Sequence, residues 1–355
     1  MLRNRLLRVA EYLALNLGIW KLFYSISGIF MRRKMLVVFT FHRVTSKEKS
    51  QKYLMGYDRG MDHKSFEKQI RAFKKYYDII GLDDFIAIIQ GKKKPANHSA
   101  LLTFDDADSD FALFAQPIME KYGCESVNFA PTDFIESDKR FWHLRISNIF
   151  HNLDQEGWDH LWNNSEGLPS DFRSLIERST ISSEKDKVST CRSFMLYLRD
   201  KSVAERTAIV DRLVEITGYD YTLGIQCMTW TEMARMEKKG VRIESHTASH
   251  RELSRLDRES IKTELAESQK TIQGKLGKTA RTICYPAGSY NDDVLDVLME
   301  SNYIAGFSSR HGTCRYPLNG KELFMIPRFG AHGEDICEIH GYLGKILIKR
   351  LLKGQ

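Results

Sequence analysis

The chain has 355 residues, of which 42% are hydrophobic and 28% charged, and this composition excludes a disordered chain, a collagen and a disulfide-stapled mini-protein. The length fits two ordinary domains, or one α/β barrel of about 250 residues with an insertion. The formal net charge is +7, and because the basic excess lies in the two end segments, a nucleic-acid groove across the main body is disfavoured.

The first element is an apolar and basic segment, residues 1–34, with seven basic residues against one acidic residue. Its most apolar part, residues 12–31, carries Lys21 at its centre, where a charge is costly in a bilayer core. Its apolar spacing predicts an amphipathic helix lying in a membrane interface. The apolar stripe is Leu6, Ala10, Leu13, Leu17, Trp20 and Tyr24. An uncleaved anchor and a helix of the globular core stay open as alternatives.

From residue 35 onward, the sequence alternates between strand and helix patterns. The uncharged run LVVFTFH predicts a buried strand that ends at His42. Short connections between alternating elements imply parallel β/α units. The next predicted elements are helices at 65–77, 82–90 and 111–123, and strands at 78–80, 100–106 and 125–131.

The alternation stops between residues 140 and 225, where a polar sequence with helical apolar spacing predicts a helical insertion. We therefore predict an α/β fold, one barrel formed by residues 35–139 and 226–337. Residues 338–355, with four basic residues against one acidic residue, predict a second basic amphipathic helix. The elements predicted after the insertion are helices at 229–240, 259–277 and 291–302, and strands at 241–246, 280–288 and 304–309.

Polar motifs follow three of the predicted buried strands. They are TFDD at 103–106, SHTASH at 245–250 and CYPAGSYND at 284–292. In a barrel of parallel strands, catalytic groups collect where strands end and the following loops begin. We therefore expect the three motifs to share one face.

The residue types in these motifs suit a catalytic metal site. His246 and His250, four residues apart, can bind one metal ion, and a carboxylate can supply a third ligand while a position stays open for water. Asp105 and Asp106 offer one carboxylate for the metal and one for proton transfer. Each motif alone is a weak signal, but three motifs in this order at strand ends are a strong one.

These residues and the sequence around them resemble the polysaccharide deacetylase family, carbohydrate esterase family 4. The resemblance covers residues 35–135 and 226–335, including LVVFTFHRV, LLTFDDADSDFALFAQPIMEKYG, TWTEMARMEKKGVRIESHTASHREL and ICYPAGSYNDDVLDVLMESNY. It implies a distorted (β/α)7 barrel that removes N- or O-acetyl groups from sugars with one divalent metal ion, for which we expect Zn²⁺.

The resemblance also implies roles for individual residues. Asp105 resembles the general base, and Asp106, His246 and His250 resemble the metal ligands. The family's usual glycine after the second aspartate is Ala107 here.

In exopolysaccharide-type relatives the histidine that acts as the acid stands on the first strand. FTFHRV resembles that arrangement, so His42 is the candidate acid. His332 and His340 are competing candidates.

The CYPAG motif departs from the arginine-containing RPPYG-like pattern and resembles a YPYG-like branch. Cys284 stands where many members carry the arginine that orients the base. Arg328 in IPRFG is the candidate for that role. Arg281 lies too far upstream of PxG to align with the family's arginine. Alignment on PxG places the Ala287 backbone N–H at the oxyanion. Asp108 and Asp110 are interpreted as helix-capping or surface carboxylates.

We therefore expect a metal-dependent hydrolase that removes an N-acetyl group from a sugar of a polysaccharide or a lipid-linked oligosaccharide. The same metal chemistry would serve O-acetyl or N-formyl removal. A non-catalytic carbohydrate-binding or assembly protein with this fold, and a hydrolase of cyclic amides, are the alternatives.

Cysteine usage and the basic ends bear on location. The six cysteines are scattered without a CxxC pair, which favours a reducing compartment. No small-x-small cleavage site follows a compact apolar core, which disfavours a signal peptide. We expect a cytoplasmic protein bound peripherally to an anionic membrane surface, with a membrane-anchored or periplasmic protein as the alternative.

Deletion of residues 1–34 should release the protein from anionic vesicles, since each basic residue near such a surface contributes about 1 kcal/mol. Vesicle sedimentation measures this binding, which should also weaken as salt is raised. An insoluble deletion variant would instead identify the segment as core, and an intact protein that resists alkaline carbonate extraction would identify an anchor.

Overall fold

The computed structural model describes residues 34–48, 60–219 and 226–331, together with Leu343. The predicted terminal helices at 1–34 and 338–355 lie outside the described residues, apart from Lys34 and Leu343. His332 and His340 also lie outside them.

Contacts divide the described residues into two units. The first contains residues 34–45, 61–136, 227–331 and 343, and the second contains residues 46–48, 60, 137–219 and 226. The predicted insertion, residues 140–225, falls in the second unit.

The first unit is a distorted β/α barrel, which confirms the predicted fold. Its strands run parallel in the order β10-β1-β5-β6-β7-β8-β9, and β4 also pairs with β5. A separate parallel pair joins β2 to β3. The strands are β1 (Leu36–Phe41), β2 (Val44–Thr45), β3 (Met61–Asp62), β4 (Asp78–Ile79), β5 (Ser99–Phe104), β6 (Ser126–Ala130), β7 (Val241–Ser245), β8 (Thr282–Cys284), β9 (Ala305–Phe307) and β10 (Phe329–Gly330).

The helices of the first unit are α1 (His63–Tyr76), α2 (Leu82–Ile89), α3 (Gln116–Lys121), α9 (Trp230–Glu237), α10 (Arg258–Leu276) and α11 (Asp292–Met299). A π-helical turn, Phe111–Ala115, precedes α3 and forms the first part of the helix predicted at 111–123. The second unit contains α4 (Trp142–Asn152), α5 (Gln155–Asn163), α6 (Ser170–Glu177), α7 (Glu184–Arg199) and α8 (Val203–Thr217). Among the described residues, no helix has the length and hydropathy needed to cross a bilayer.

The strands are buried on both faces, which explains their uninterrupted apolar sequences. Alternate residues of β1, Leu36 and Val38, join a core cluster with residues of α2 and of four other strands. The opposite face of β1 packs against α1, where Phe39 stacks on Phe73 with ring centroids 4.0 Å apart. Each face of the sheet is therefore covered.

The second unit has its own apolar core. Phe150, Phe172 and Phe194 are fully buried at its centre, and Phe194 contacts both of the other rings edge-on at 4.7 to 5.0 Å. Helix α8 begins with a capping box formed by Ser202 and Glu205. These contacts explain the helical apolar spacing found between residues 140 and 225.

Candidate active site

Parallel pairing brings the three polar motifs to one edge of the sheet. Phe41 of β1 lies opposite Phe104 of β5, so His42 and Asp105 follow two neighbouring strands at the same level. Strand β7 lies on the other side of β6, and His246 follows its last residue. The carboxyl ends of the strands therefore assemble the residues that the sequence singled out.

Asp106, His246 and His250 form a compact cluster. Asp106 Oδ1 lies 3.4 Å from His246 Nε2 and 3.2 Å from His250 Nε2. The two imidazole rings are 4.8 Å apart at 70°. His246 Nδ1 lies 2.8 Å from the carbonyl oxygen of Cys284, so this nitrogen donates and Nε2 presents its lone pair to the cluster.

The cluster fits a divalent metal ion. Asp106 Oδ1 is buried and has no hydrogen-bond partner, although it faces two imidazole nitrogens. A buried carboxylate oxygen in this position needs a proton or a cation. Burial lowers the pKa of His250 and favours its neutral ring. The surroundings of His246, with Cys284 and Asp106 foremost, outweigh burial and raise the pKa of that ring, so a metal ion would have to displace its proton. One carboxylate and two imidazoles form a donor set of catalytic metal sites, with positions left for water and substrate.

A second group of potential ligands, Asp105, His246 and Cys284, also lies within 4.8 Å. This group is a poorer metal site because both carboxylate oxygens of Asp105 are already occupied. Arg328 NH1 donates to Oδ1 at 2.8 Å, and NH2 donates to Oδ2 at 2.7 Å. The Cys284 thiol lies 3.6 Å from the same Oδ2.

Arg328 pairs with Asp105 in a fully enclosed environment. Its Nε donates to the Ser308 carbonyl at 3.0 Å, and its guanidinium lies over the Phe129 ring at 5.9 Å. Burial alone would raise the pKa of Asp105, but the Arg328 charge outweighs it and lowers that pKa to about 2. Asp105 is therefore an ionised carboxylate at neutral pH.

His42 lies at the accessible side of this pair. Its Nε2 is 4.0 Å from Asp105 Oδ2, and its side chain is 28% exposed whereas that of Asp105 is 4% exposed. An imidazole in this position can reach a substrate atom and the carboxylate at once. Its role as the acid stays a prediction.

Several backbone positions beside the site are left-handed. Asp106 and Ala107 have φ values of +71° and +53°, so Ala107 keeps the conformation for which glycine is favoured. Ala287 has a φ of +54° within a short turn, Pro286–Gly288. This turn follows β8 and limits the strand to three residues. The strand predicted at 280–288 is shorter than expected because of this turn. The oxyanion role of Ala287 stays a prediction.

A buried charge network beside the site was missed by the sequence analysis. Arg43 donates to Asp110 Oδ2 through Nε at 2.9 Å and NH2 at 2.6 Å, and Thr45 donates to the same oxygen at 2.7 Å. Asp110 stands at the N-cap position of the π-helical turn, but its side chain makes no capping bond, and Asp108 instead accepts from the Asp110 N–H at 2.7 Å. The interpretation of these carboxylates as surface residues is wrong, because both are buried. Burial raises the pKa of Asp108 to about 7 despite Arg43 Nε at 3.3 Å. This network ties the loop after β1 to the loop after β5.

Arg281 lies away from this site. It precedes β8 and pairs with Asp83 of α2, with 2.5 Å between its NH2 and Oδ1. Its side chain is 40% exposed. This position agrees with the choice of Arg328 rather than Arg281 as the residue beside the base.

The fold and site define a distorted β/α barrel with a candidate Asp–His–His metal site. Comparison with known proteins confirms the predicted resemblance: residues 184–305 match the model of the polysaccharide deacetylase family. This range, about a third of the chain, includes both histidines. Residues 35–135, which also carry the sequence resemblance, lie outside it.

A curated relative and several solved structures are similar to the chain. Over 85 residues, or 24% of the chain, it is 32% identical to "Putative polysaccharide deacetylase YxkH" of Bacillus subtilis, and the aligned part spans 30% of that relative. The Streptococcus pyogenes deacetylase PplD, solved with acetate, has a TM-score of 0.54 at 17% identity, covering 86% of this chain and 96% of PplD.

Two further structures have the same fold. IcaB from Ammonifex degensii has a TM-score of 0.52 at 12% identity, covering 89% of this chain and 98% of IcaB. A de-N-acetylase from Aggregatibacter actinomycetemcomitans has a TM-score of 0.54 at 13% identity, covering 87% of this chain and all of that protein.

Replacing Arg328 with Met should lower the free energy of unfolding by about 3–5 kcal/mol, because it leaves the Asp105 carboxylate buried without its cation. Arg281→Met is the matched control and should cost less than about 1 kcal/mol, since its pair with Asp83 is exposed. Urea unfolding at pH 7 measures both. Equal stability of the two variants would contradict the importance of the buried pair.

The difference in free energy of unfolding between the wild type and Arg328→Met should depend on pH. Because folding lowers the pKa of Asp105, the pair stabilises the protein fully above about pH 4 and loses this contribution as the pH falls toward 2. In Arg328→Met burial alone raises the pKa of Asp105, so the stability difference between the wild type and this variant should narrow steadily as the pH falls from that raised value toward 2. A difference that stays constant from pH 7 to pH 3 would show that another interaction is responsible.

Proposed function

We propose that this protein is a metal-dependent deacetylase that removes the acetyl group from an N-acetylated sugar of a glycan. The observation that carries the proposal is the placement of the Arg328–Asp105 pair beside Asp106, His246 and His250. A carboxylate for proton transfer and a separate carboxylate for metal binding then stand side by side at one strand end. The family match over residues 184–305 supports the same activity.

Asp106, His246 and His250 would hold the divalent ion, for which we propose Zn²⁺. Such an ion polarises the acetyl carbonyl and lowers the pKa of water. Asp105, ionised at neutral pH, takes the proton from the attacking water. Arg328 holds both oxygens of Asp105 in fixed positions, so the carboxylate approaches the water in one orientation.

The other two residues act on the substrate. The Ala287 backbone N–H donates to the oxyanion of the tetrahedral intermediate. His42 donates a proton to the departing amine, and its 28% exposed imidazole suits contact with a substrate that enters from solvent. First-strand placement of the acid makes an exopolysaccharide or a lipid-linked oligosaccharide the proposed substrate.

The proposed place of action is the cytoplasmic face of an anionic membrane. The charge of residues 1–34 supports it, because a basic amphipathic segment brings a barrel close to anionic lipid headgroups. A lipid-carried glycan would then be presented to the site at the membrane surface.

Asp105→Asn and His42→Ala should each lower kcat by at least about 100-fold, since they remove the base and the acid. Acetate release from N-acetylglucosamine oligomers and from lipid-linked N-acetylated sugars measures the rate. Asp78→Asn and His160→Ala, at exposed positions, are matched controls that should keep wild-type rates. If His42→Ala leaves kcat nearly unchanged while His332→Ala lowers it severely, the acid is His332 and not His42. Absence of acetate release by the wild type from every N-acetylated sugar tested would contradict the activity itself.

His246→Ala and His250→Ala should each abolish retention of one Zn²⁺ per chain, because two of three ligands cannot hold the ion through dialysis. Metal analysis after dialysis gives the stoichiometry, and urea unfolding checks that the barrel still folds. His160→Ala should retain one ion. Stoichiometric Zn²⁺ in the double variant would overturn the proposed ligand set.

A further inference from the structure

The loop that carries the two candidate histidine ligands has an unusual backbone. Both Thr247 and His250 have left-handed φ values, +65° and +56°. Neither is glycine, so these conformations persist only where surrounding contacts impose them. The position of the His250 imidazole therefore depends in part on the contacts that hold residues 247–249.

A single carboxylate on α10 holds the middle of this loop. Glu264 Oε2 accepts from the backbone N–H of Ala248 at 3.1 Å and from that of Ser249 at 2.8 Å. Its Oε1 accepts from the Ser249 hydroxyl. Glu264 is 7% exposed, so its carboxylate is largely shielded from water. Charged acceptors with two backbone donors form short and directional hydrogen bonds.

The next turn of α10 supports the start of the loop. Ser268 is fully buried, and its hydroxyl lies 2.8 Å from that of Ser245. Ser245 Oγ accepts from the Thr247 N–H at 3.1 Å, and Thr247 Oγ1 accepts from the His250 N–H at 3.0 Å. The chain of contacts thus runs from α10 to the second histidine.

Backbone hydrogen bonds tie the other side of the loop to the segment after β6. Thr132 N–H donates to the Thr247 carbonyl at 3.2 Å, and Asp133 N–H donates to the Ala248 carbonyl at 2.9 Å. These bonds do not involve Glu264. Removal of the Glu264 carboxylate therefore leaves the loop attached to the barrel but frees the buried N–H of Ala248 and the half-buried N–H of Ser249.

We propose that Glu264 is a positioning residue for the metal site, which fixes His250 through the backbone of Ala248 and Ser249. This inference rests on the proposed metal-dependent function. Glu264 touches neither candidate ligand side chain and acts only through the loop. Residues that orient metal ligands from outside the coordination sphere typically contribute 10- to 100-fold to metal affinity.

The test measures metal binding by the full-length protein without any substrate. Competition with a chromophoric chelator gives the Zn²⁺ affinity, the visible absorption of the Co²⁺-loaded protein reports ligand geometry, and urea unfolding of the metal-free protein reports stability. Glu264→Ala removes all three acceptor contacts. Glu264→Gln keeps the side-chain volume without the charge. Glu267→Ala, at an exposed position of the same helix, is the matched control.

Glu264→Ala should weaken Zn²⁺ binding by about 10- to 100-fold and alter the Co²⁺ spectrum. Glu264→Gln should lie between it and the wild type, and Glu267→Ala should match the wild type. A purely structural role would lower the stability of the metal-free protein while leaving both metal readouts unchanged, and this result would overturn the proposal.

Two further outcomes separate the proposal from the function on which it rests. If Glu264→Ala does not fold, Glu264→Gln decides, and an affinity equal to that of the wild type would overturn the positioning role. A wild-type protein that binds no Zn²⁺ would contradict the metal site itself, whereas normal wild-type binding with an unaffected Glu264→Ala would contradict only the role of Glu264.

Discussion

The burial of the Arg328–Asp105 pair constrains the architecture of the whole barrel end. Two charges removed from water are stable together only when the remaining donors and acceptors are satisfied. Arg328 meets this requirement with the Ser308 carbonyl after β9 and, at 3.3 Å, the Thr103 hydroxyl on β5. Strands β9 and β10 share no ladder in the described part of the chain, and one bridge, between Phe307 and Ile326, lies near their junction. Backbone hydrogen bonds already join residues 306–310 to residues 326–328, and the guanidinium adds side-chain bonds to this junction.

Local sequence patterns were sufficient to predict the barrel and most of its candidate site. Uncharged runs such as LVVFTF and SALLTF are buried throughout, as is typical of parallel strands covered on both faces. The motifs after β5 and β7 were placed correctly together because parallel strands end at one edge. The family resemblance added the division of roles between Asp105 and Asp106, which spacing alone does not distinguish.

The contacts that orient the site could not be predicted in the same way. Arg328 and Asp105 are 223 residues apart in the chain, and no periodicity connects them. Glu264 lies in a helix whose charged residues are otherwise exposed, so its burial follows only from how α10 packs against the loop after β7. The DDADSD run suggested helix caps because its neighbours in the sequence give no sign of a buried cation. Arg43, which pairs with the buried Asp110 carboxylate, is 67 residues away in the chain. Pairing partners at such separations are set by the fold, not by local pattern.

The left-handed residues around the site also limit how the protein can be stabilised by engineering or by evolution. Asp106, Ala107, Thr247, His250 and Ala287 each hold a conformation that costs a non-glycine residue about 1–3 kcal/mol. Glycine would relieve this strain in the folded state, but it would also widen the range of backbone conformations open to the loops. Stabilising substitutions are therefore best placed in the helical unit and the outer helices, where they do not alter the geometry of the candidate metal ligands.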